Sequence, residues 1–362
     1  MIILIPIMLL YGLFSVSGLI LVWTEDRTLK KLTPPTGVSV VMAVRNEIKS
    51  IATLVDQILK NKTNFEVELI VVDDGSDDGT LEYLQKLSHS NILVLQNNSE
   101  GKKAAIKFAL ESARFEIVIQ TDGDCEVGEY WLLSMVNRLL SDKNRIVIGP
   151  VYPIASKSIL NALIRLEWLG IQFLTAYTAR LKQPALSNGA NMAFYKRDYQ
   201  GFIASQLGDK YASGDDVFFL KYISKFGKAV FNLDKSSIVL TQMPQTLSKL
   251  VNQRIRWITK ANKSSNFLST LFSTIVAMAN FAWIAGLYFV IQDYHALPIL
   301  IITVGWKLIS DFIICWNMAR FYNDLSILSW VPVMFFVFPV YLILGLFFSF
   351  RRSYSWKGRK VK

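Results

Sequence analysis

The sequence predicts an α/β domain built on a largely parallel, Rossmann-like mixed sheet, carried between hydrophobic segments long enough to cross a membrane. Three observations predict it. Short apolar runs alternate with stretches of helical spacing between residues 37 and 145. Acid-bearing polar stretches recur where those apolar runs end. Uncharged segments of about 20 residues or more, the length that crosses a hydrocarbon core, flank the polar middle.

Taken in order, residues 38–44 (VSVVMAV) have the near-continuous apolar pattern of a buried strand, and residues 47–60 follow with helical spacing. Residues 68–72 repeat the strand pattern and 80–87 the helical one. The alternation continues through 92–95, 102–113, 116–120, 130–140 and 145–148. Strands alternating with helices imply βαβ units. Later, residues 192–195 are strand-like and 217–226 form an apolar helix. The chain divides into an anchor at 1–24, a domain at 36–242, a basic interfacial helix at 243–265, a membrane region at 266–350 and a basic tail at 351–362.

Residues 2–23, 267–291 and 327–350 carry no charge, and 297–318 is broken only by Lys307 and Asp311. The first segment has no basic region before it and no small-residue cleavage site, so it reads as a retained anchor. The middle region shows no further spanning stretch. Arg27, Lys30 and Lys31 follow the anchor and place the domain in the cytoplasm by the positive-inside rule. Three full crossings after the domain would put the tail outside, whereas Arg351, Arg352, Lys357, Arg359, Lys360 and Lys362 argue for inside. A re-entrant segment at 327–350, which contains Pro332 and Pro339, would resolve this. Lys307 and Asp311 are spaced i, i+4 and read as an internal pair, because lone charges in a membrane are costly.

The net charge of +11 gathers near the membrane segments, at Lys249, Arg254, Arg256, Lys260 and Lys263 and in the tail. That placement fits anionic lipid headgroups rather than nucleic acid. Two cysteines, Cys125 and Cys315, and two histidines, His89 and His295, exclude a disulfide framework and a histidine metal site. Acid–base chemistry therefore falls to carboxylates, lysines, tyrosines or cysteines.

In open α/β sheets, ligands bind beyond the carboxyl ends of the strands. Arg45-Asn46-Glu47 follows the first strand, Asp73-Asp74-Gly75-Ser76 the second, and Asp122-Gly123-Asp124 the fourth. Asp122 and Asp124 would share one face of an extended chain, and a hard divalent cation, Mg²⁺ or Mn²⁺, suits paired carboxylates completed by phosphate oxygens. A hairpin turn is the competing reading of Asp-Gly after a strand. Three more polar clusters follow: Ser187-Asn188-Gly189-Ala190-Asn191, Ser213-Gly214-Asp215-Asp216 and Gln253-Arg254-Ile255-Arg256-Trp257. Asn-Gly is also a turn signal, and Asp215 a helix cap. Gln253, Arg256 and Trp257 share a helix face, which also suits an interfacial amphipathic helix.

These stretches, in this order from residue 38 to 257, resemble membrane-bound members of glycosyltransferase family 2, the group of cellulose, chitin and hyaluronan synthases and ceramide glucosyltransferase. VVDDGSDDGT at 71–80 and Gln-x-x-Arg-Trp at 253–257 carry the resemblance most strongly. It implies a GT-A fold and transfer of a sugar from a UDP-sugar, with inversion, to a hydroxyl of a lipid or growing polysaccharide. It also implies that Asp74 hydrogen-bonds the uracil with Asp73 in support, and that Lys102 and Asp122 hold the nucleotide side. Asp124 would ligate the metal, and Asp216, the last carboxylate of an acidic pair with Asp215, would be the general base. Gln253, Arg256 and Trp257 would line the diphosphate and acceptor end, with Asn188 beside them. Where the family has a Pro-x-Tyr-Asn-Glu stretch, this chain has Ala43 to Glu47. Arg45 would then stack on the base in place of tyrosine, with Glu47 on the donor side. A polyprenyl-phosphate sugar transferase, or an inactive binding subunit of a cell-envelope assembly, are the alternatives.

Overall fold

In the computed structural model of the chain, residues 4–24, 33–87, 89–209, 214–264, 267–349, 354–356 and 359–361 are described. Arg27, Lys30, Lys31, Ser213, Arg351, Arg352, Lys357 and Lys362, used above for orientation or for motifs, lie outside the described residues.

Helix α1 (Leu4–Trp23) precedes the domain, which opens with β1 (Gly37–Val44), α2 (Ile51–Leu59), β2 (Glu66–Asp73), α3 (Thr80–Gln85), β3 (Ile92–Gln96), α4 (Lys102–Ser112) and β4 (Ile117–Thr121). β1 pairs in parallel with β2 and with β4, and β2 with β3. Flanked on both edges and covered on its faces, β1 is buried nearly throughout. That burial is the physical reason for its unbroken apolar run.

The chain continues with β5 (Cys125–Val127), α5 (Trp131–Leu140), β6 (Asn144–Ile148), β7 (Val151–Pro153), α6 (Ile159–Arg180), β8 (Asn191–Tyr195), α7 (Lys196–Ala204), α8 (Asp215–Ile223), β9 (Lys228–Phe231) and β10 (Val239–Thr241). The main sheet has seven strands in the order β3-β2-β1-β4-β8-β6-β9, and β8 runs antiparallel to both its neighbours. The sheet is therefore mixed. A second sheet, β5-β10-β7, stands beside it.

The middle region corrects one expectation. Among the described residues five helices are long and apolar enough to cross a membrane, and α6 is one of them. It packs on β7 and β9 as well as on α1 and α11 (Leu297–Phe321). Trp168 donates its indole N–H to the Val151 carbonyl at 2.6 Å. On the other flank a Cβ at Gly18 of α1 would lie 2.2 Å from the Phe173 ring, and Ser17 and Tyr177 share a hydrogen bond of 2.8 Å. Because it serves the sheet and the helices at once, α6 is mostly buried and keeps polar residues such as Gln172 and Thr178 inside.

α9 (Leu247–Ser264) leads into α10 (Phe267–Gln292), then α11 and α12 (Val331–Ser349), which contains Pro339. The expected internal pair is present: Lys307 Nζ lies 2.5 Å from Asp311 Oδ2. Around α12, Asp324 just before it is ion-paired with Arg165 of α6, and Tyr341 meets Glu167 of α6 at 2.7 Å. Beyond it β11 (Tyr354–Trp356) pairs with β12 (Arg359–Val361) and touches α9. The chain after α12 thus returns to the helix that borders the domain.

Candidate active site

Val44 and Asp73 are register partners, so the chain leaves β1 and β2 at one level. The loops beyond are cross-tied. Asn46, at φ 56° in the left-handed region that asparagine tolerates, donates its backbone N–H to Ser76 Oγ at 3.0 Å and accepts from Asp77 N at 3.0 Å. Glu47 donates its N–H to Thr80 Oγ1 at 2.9 Å. Asp73 is fully buried, and its Oδ2 accepts from the N–H groups of Gly75 and Ser76, both at 3.0 Å. Asp74, 3% exposed, accepts from Asn97 Nδ2 at 2.8 Å and Gly101 N at 2.9 Å. That last bond ties the end of β2 to the start of α4 and so places Lys102.

Asp122, Gly123 and Asp124 lie in a turn between β4 and β5, not in an extended strand. It is no hairpin either, because β5 pairs with β10 and belongs to the second sheet. The turn lies on the loop after β1. A Cβ at Gly123 would sit 2.8 Å from Val44 Cγ1 and 3.1 Å from Glu47 Cγ, and Ser50 Oγ donates to the Gly123 carbonyl at 2.8 Å. Asp122 is ion-paired with Lys102 Nζ. Burial alone would push the Lys102 ammonium down, but attraction and hydrogen bonding to Asp122, aided by Asp216, leave it above the ordinary lysine value.

The 187–191 stretch leads into β8 directly beside this turn. Gln120 donates to the Gly189 carbonyl at 3.1 Å and Thr121 to the Ala190 carbonyl at 3.0 Å. A Cβ at Gly189 would meet Gln120 Nε2 at 2.7 Å, so any larger residue there must displace that amide. Gly189 N–H then donates to Asp216 Oδ2 at 3.3 Å, while Val217 N–H donates to Oδ1 at 3.0 Å. Gly214, in the left-handed conformation, is the N-cap of α8. Asp215 and Asp216 thus occupy its first turn, where the helix dipole favours negative charge. Lys103 Nζ lies 3.7 Å from Asp215.

A cavity of about 200 Å³ joins these elements. One wall holds Lys102, Asp122 and Asp124; Asn188, Asp215 and Asp216 line it from the β8 and α8 side. Gln253, Arg256 and Trp257 enter together from α9, as their shared helix face predicts. Arg45, Glu47, Asp73 and Asp74 do not line it; Asp73 ends β2 and the others stand in the adjoining loops after β1 and β2. Sequence reasoning missed Trp168 and Tyr199, which also line the cavity. Trp168 carried no signal beyond its place in an apolar stretch. Burial, then the charges of Asp215 and Asp216, push the Tyr199 phenol well up.

Among the described residues no three His, Cys, Asp or Glu groups cluster as metal ligands. Asp122 and Asp124 offer at most two carboxylates, the protein contribution that suits Mg²⁺ or Mn²⁺ when substrate phosphates complete the shell. The donor set therefore fits the expected cation only together with a diphosphate.

Residues 39–201 match the family model described as glycosyl transferase family 2. A chondroitin synthase of Pasteurella multocida is 24% identical over 183 residues, 47% of this chain and 18% of that protein. A cholesterol galactosyltransferase of Borreliella burgdorferi is 32% identical over 117 residues, 32% of this chain and 32% of that protein. The matched part thus spans a third or less of these relatives. Among solved structures, a mannosyltransferase from Pyrobaculum calidifontis in complex with GDP-Man and Mn²⁺ superposes over 96% of this chain and 98% of that one, with a TM-score of 0.53 at 17% identity, a likeness of fold. Residues 39–201 are thus similar to glycosyl transferase family 2, and the α/β domain has the GT-A fold.

Proposed function

We propose that the chain is a membrane-bound, metal-dependent, inverting glycosyltransferase that moves a sugar from a UDP-sugar to a hydroxyl of a lipid or growing polysaccharide, with its catalytic domain on the cytoplasmic face. One observation carries the reading. Asp122, Asp124, Asp216, Arg256 and Trp257, drawn from three distant segments, line a single cavity.

Departure of a nucleoside diphosphate builds negative charge on the leaving group. Mg²⁺ or Mn²⁺, held by Asp124 with Asp122 beside it, would supply Lewis-acid neutralisation there. Arg256 adds a fixed positive charge at the acceptor end of the same cavity. Asp216, oriented by the N–H groups of Gly189 and Val217, accepts the proton of the acceptor hydroxyl as it attacks. Backside attack assisted by one base inverts the anomeric centre. The Trp168 and Trp257 rings, with centroids 5.4 Å apart, give a sugar ring or lipid headgroup an apolar wall. Asp73 at the end of β2, with Asp74, Arg45 and Glu47 in the loops after β2 and β1, forms the base-binding side.

The test is nucleoside diphosphate release by the detergent-purified chain over a panel of UDP-sugars and GDP-Man, with Mn²⁺ or Mg²⁺ and a membrane lipid extract. Turnover with one donor that disappears on chelation is expected, and the mass of the labelled product separates glycolipid from polymer. Absence of UDP binding with either metal would refute the assignment of the donor side.

A further inference from the structure

Gln253, Arg256 and Trp257 face the cavity, but Arg254 lies one residue off their stripe and turns elsewhere. It is 6% exposed and uses each of its three nitrogens on a different partner. Nε donates to the Tyr341 hydroxyl of α12 at 2.7 Å, Nη1 donates to Gln253 Oε1 at 2.7 Å, and Nη2 is ion-paired with Glu167 of α6. The triangle closes on itself, because the Tyr341 hydroxyl donates to Glu167 Oε1 at 2.7 Å. The guanidinium also lies over the Trp257 ring, 4.2 Å from its centroid. Next to Glu167 in the chain is Trp168, which packs on Trp257 and lines the cavity.

Arg254 therefore touches two cavity residues directly, Gln253 and Trp257, and holds both against two long apolar helices. A buried guanidinium is retained only where every donor direction is matched, and here the partners come from three different helices. A planar fork is needed, since a lysine ammonium offers a point charge without the stacking face.

We propose that Arg254 is a positioning residue that sets Gln253 and Trp257 for the acceptor, and that Tyr341 makes this setting depend on how α12 seats against α6. The proposal rests on the glycosyl-transfer reading of the cavity for its catalytic consequence. Its geometric half stands by itself: a change on α12, outside the cavity, must move Trp257.

The experiment uses the full chain in lipid nanodiscs, with Arg254→Lys, Tyr341→Phe and Glu167→Gln beside wild type. Fluorotryptophan labelling gives a ¹⁹F resonance for Trp257, assigned by Trp257→Phe. Tyr341→Phe is expected to shift that resonance while leaving UDP affinity within about twofold, because the donor side lies on other elements. Arg254→Lys is expected to lower kcat or raise the acceptor KM by about tenfold to a hundredfold, the scale of a misplaced reacting group. Tyr341→Phe should act in the same direction and more weakly. A merely structural role predicts lower thermal stability with kcat, KM and the Trp257 resonance of the folded protein unchanged, and that result overturns the proposal. A Trp257 resonance that moves in Tyr341→Phe while the wild type turns over no donor supports the geometric half and refutes the transfer reading on which the other half rests.

Discussion

Two lysine–aspartate pairs in this chain share a contact type and differ in their surroundings. Lys102 and Asp122 meet at the wall of the cavity, with side chains 35% and 28% exposed. Lys307 and Asp311 meet inside the helix assembly, where the lysine side chain is 1% exposed. In the second pair the ammonium is enclosed by protein, and the carboxylate is only partly exposed. Tyr11 of α1 donates to the other Asp311 oxygen at 2.6 Å, and the Phe335 ring of α12 lies 4.4 Å from the ammonium. The first pair borders open volume together with Asp124 and Asp216, so a ligand can exchange with one partner. An ion pair alone does not mark function; the unfilled space beside it does.

Four measurements break or sharpen this contrast. On the cavity side, Asp216→Asn should lower transfer by roughly 10²–10⁴-fold, the range for loss of a general base, with the unfolding midpoint unchanged. Retained turnover would remove Asp216 from the cavity's chemistry.

On the closed side, Lys307→Met alone leaves Asp311 buried against Tyr11 without its cation. It should cost about 3–5 kcal/mol, as breaking a buried pair does. Adding Asp311→Asn should recover much of that, measured as folded yield and Tm in detergent, with kcat unchanged throughout. A kcat effect larger than the loss of folded protein would show that this pair also serves the site.

Lys102→Met should behave in the opposite way. Its partly exposed pair contributes at most about 1 kcal/mol to stability, yet UDP affinity should fall by about tenfold, the equivalent of about 1.4 kcal/mol. Equal losses in both assays would make the two pairs alike.

The smallest effect concerns Glu68, at the opposite end of β2 from the cavity. Burial alone would raise its carboxyl, but hydrogen bonds from Ser39 and from the Arg114 backbone and side chain hold it below the ordinary glutamate value. A lowered folded-state value means stability that is present above the ordinary glutamate range and lost as pH falls through it. Melting curves from pH 6 down to pH 3 should show a Glu68-dependent acid limb that Glu68→Gln flattens, with no change in UDP binding.

Much of the half built on β1 to β4 was legible because its cues are local. Runs such as 38–44 and 117–119 are largely apolar since both faces of a central strand are covered, and the acid-bearing loops follow them within a few residues. The β8 side was less legible. That β8 runs antiparallel between β4 and β6 depends on partners more than 40 residues away in sequence, at Ile146 and beyond. At 122–124 the local pattern allows both an extended carboxylate pair and a turn, and the packing of Gly123 against Glu47 decides for the turn.

By itself, then, the sequence determined the alternation of strands and helices, the apolar segments and the residue types that line the cavity, because periodicity and short motifs are properties of neighbouring residues. Only the tertiary structure decided that α6 serves sheet and helices together, that Trp168 and Tyr199 enter the cavity, and that Arg254 joins α6, α9 and α12. Those are contacts between side chains separated by up to 174 positions, such as Tyr341 and Glu167. They form only when packing has brought the helices together, and no local pattern encodes the partner.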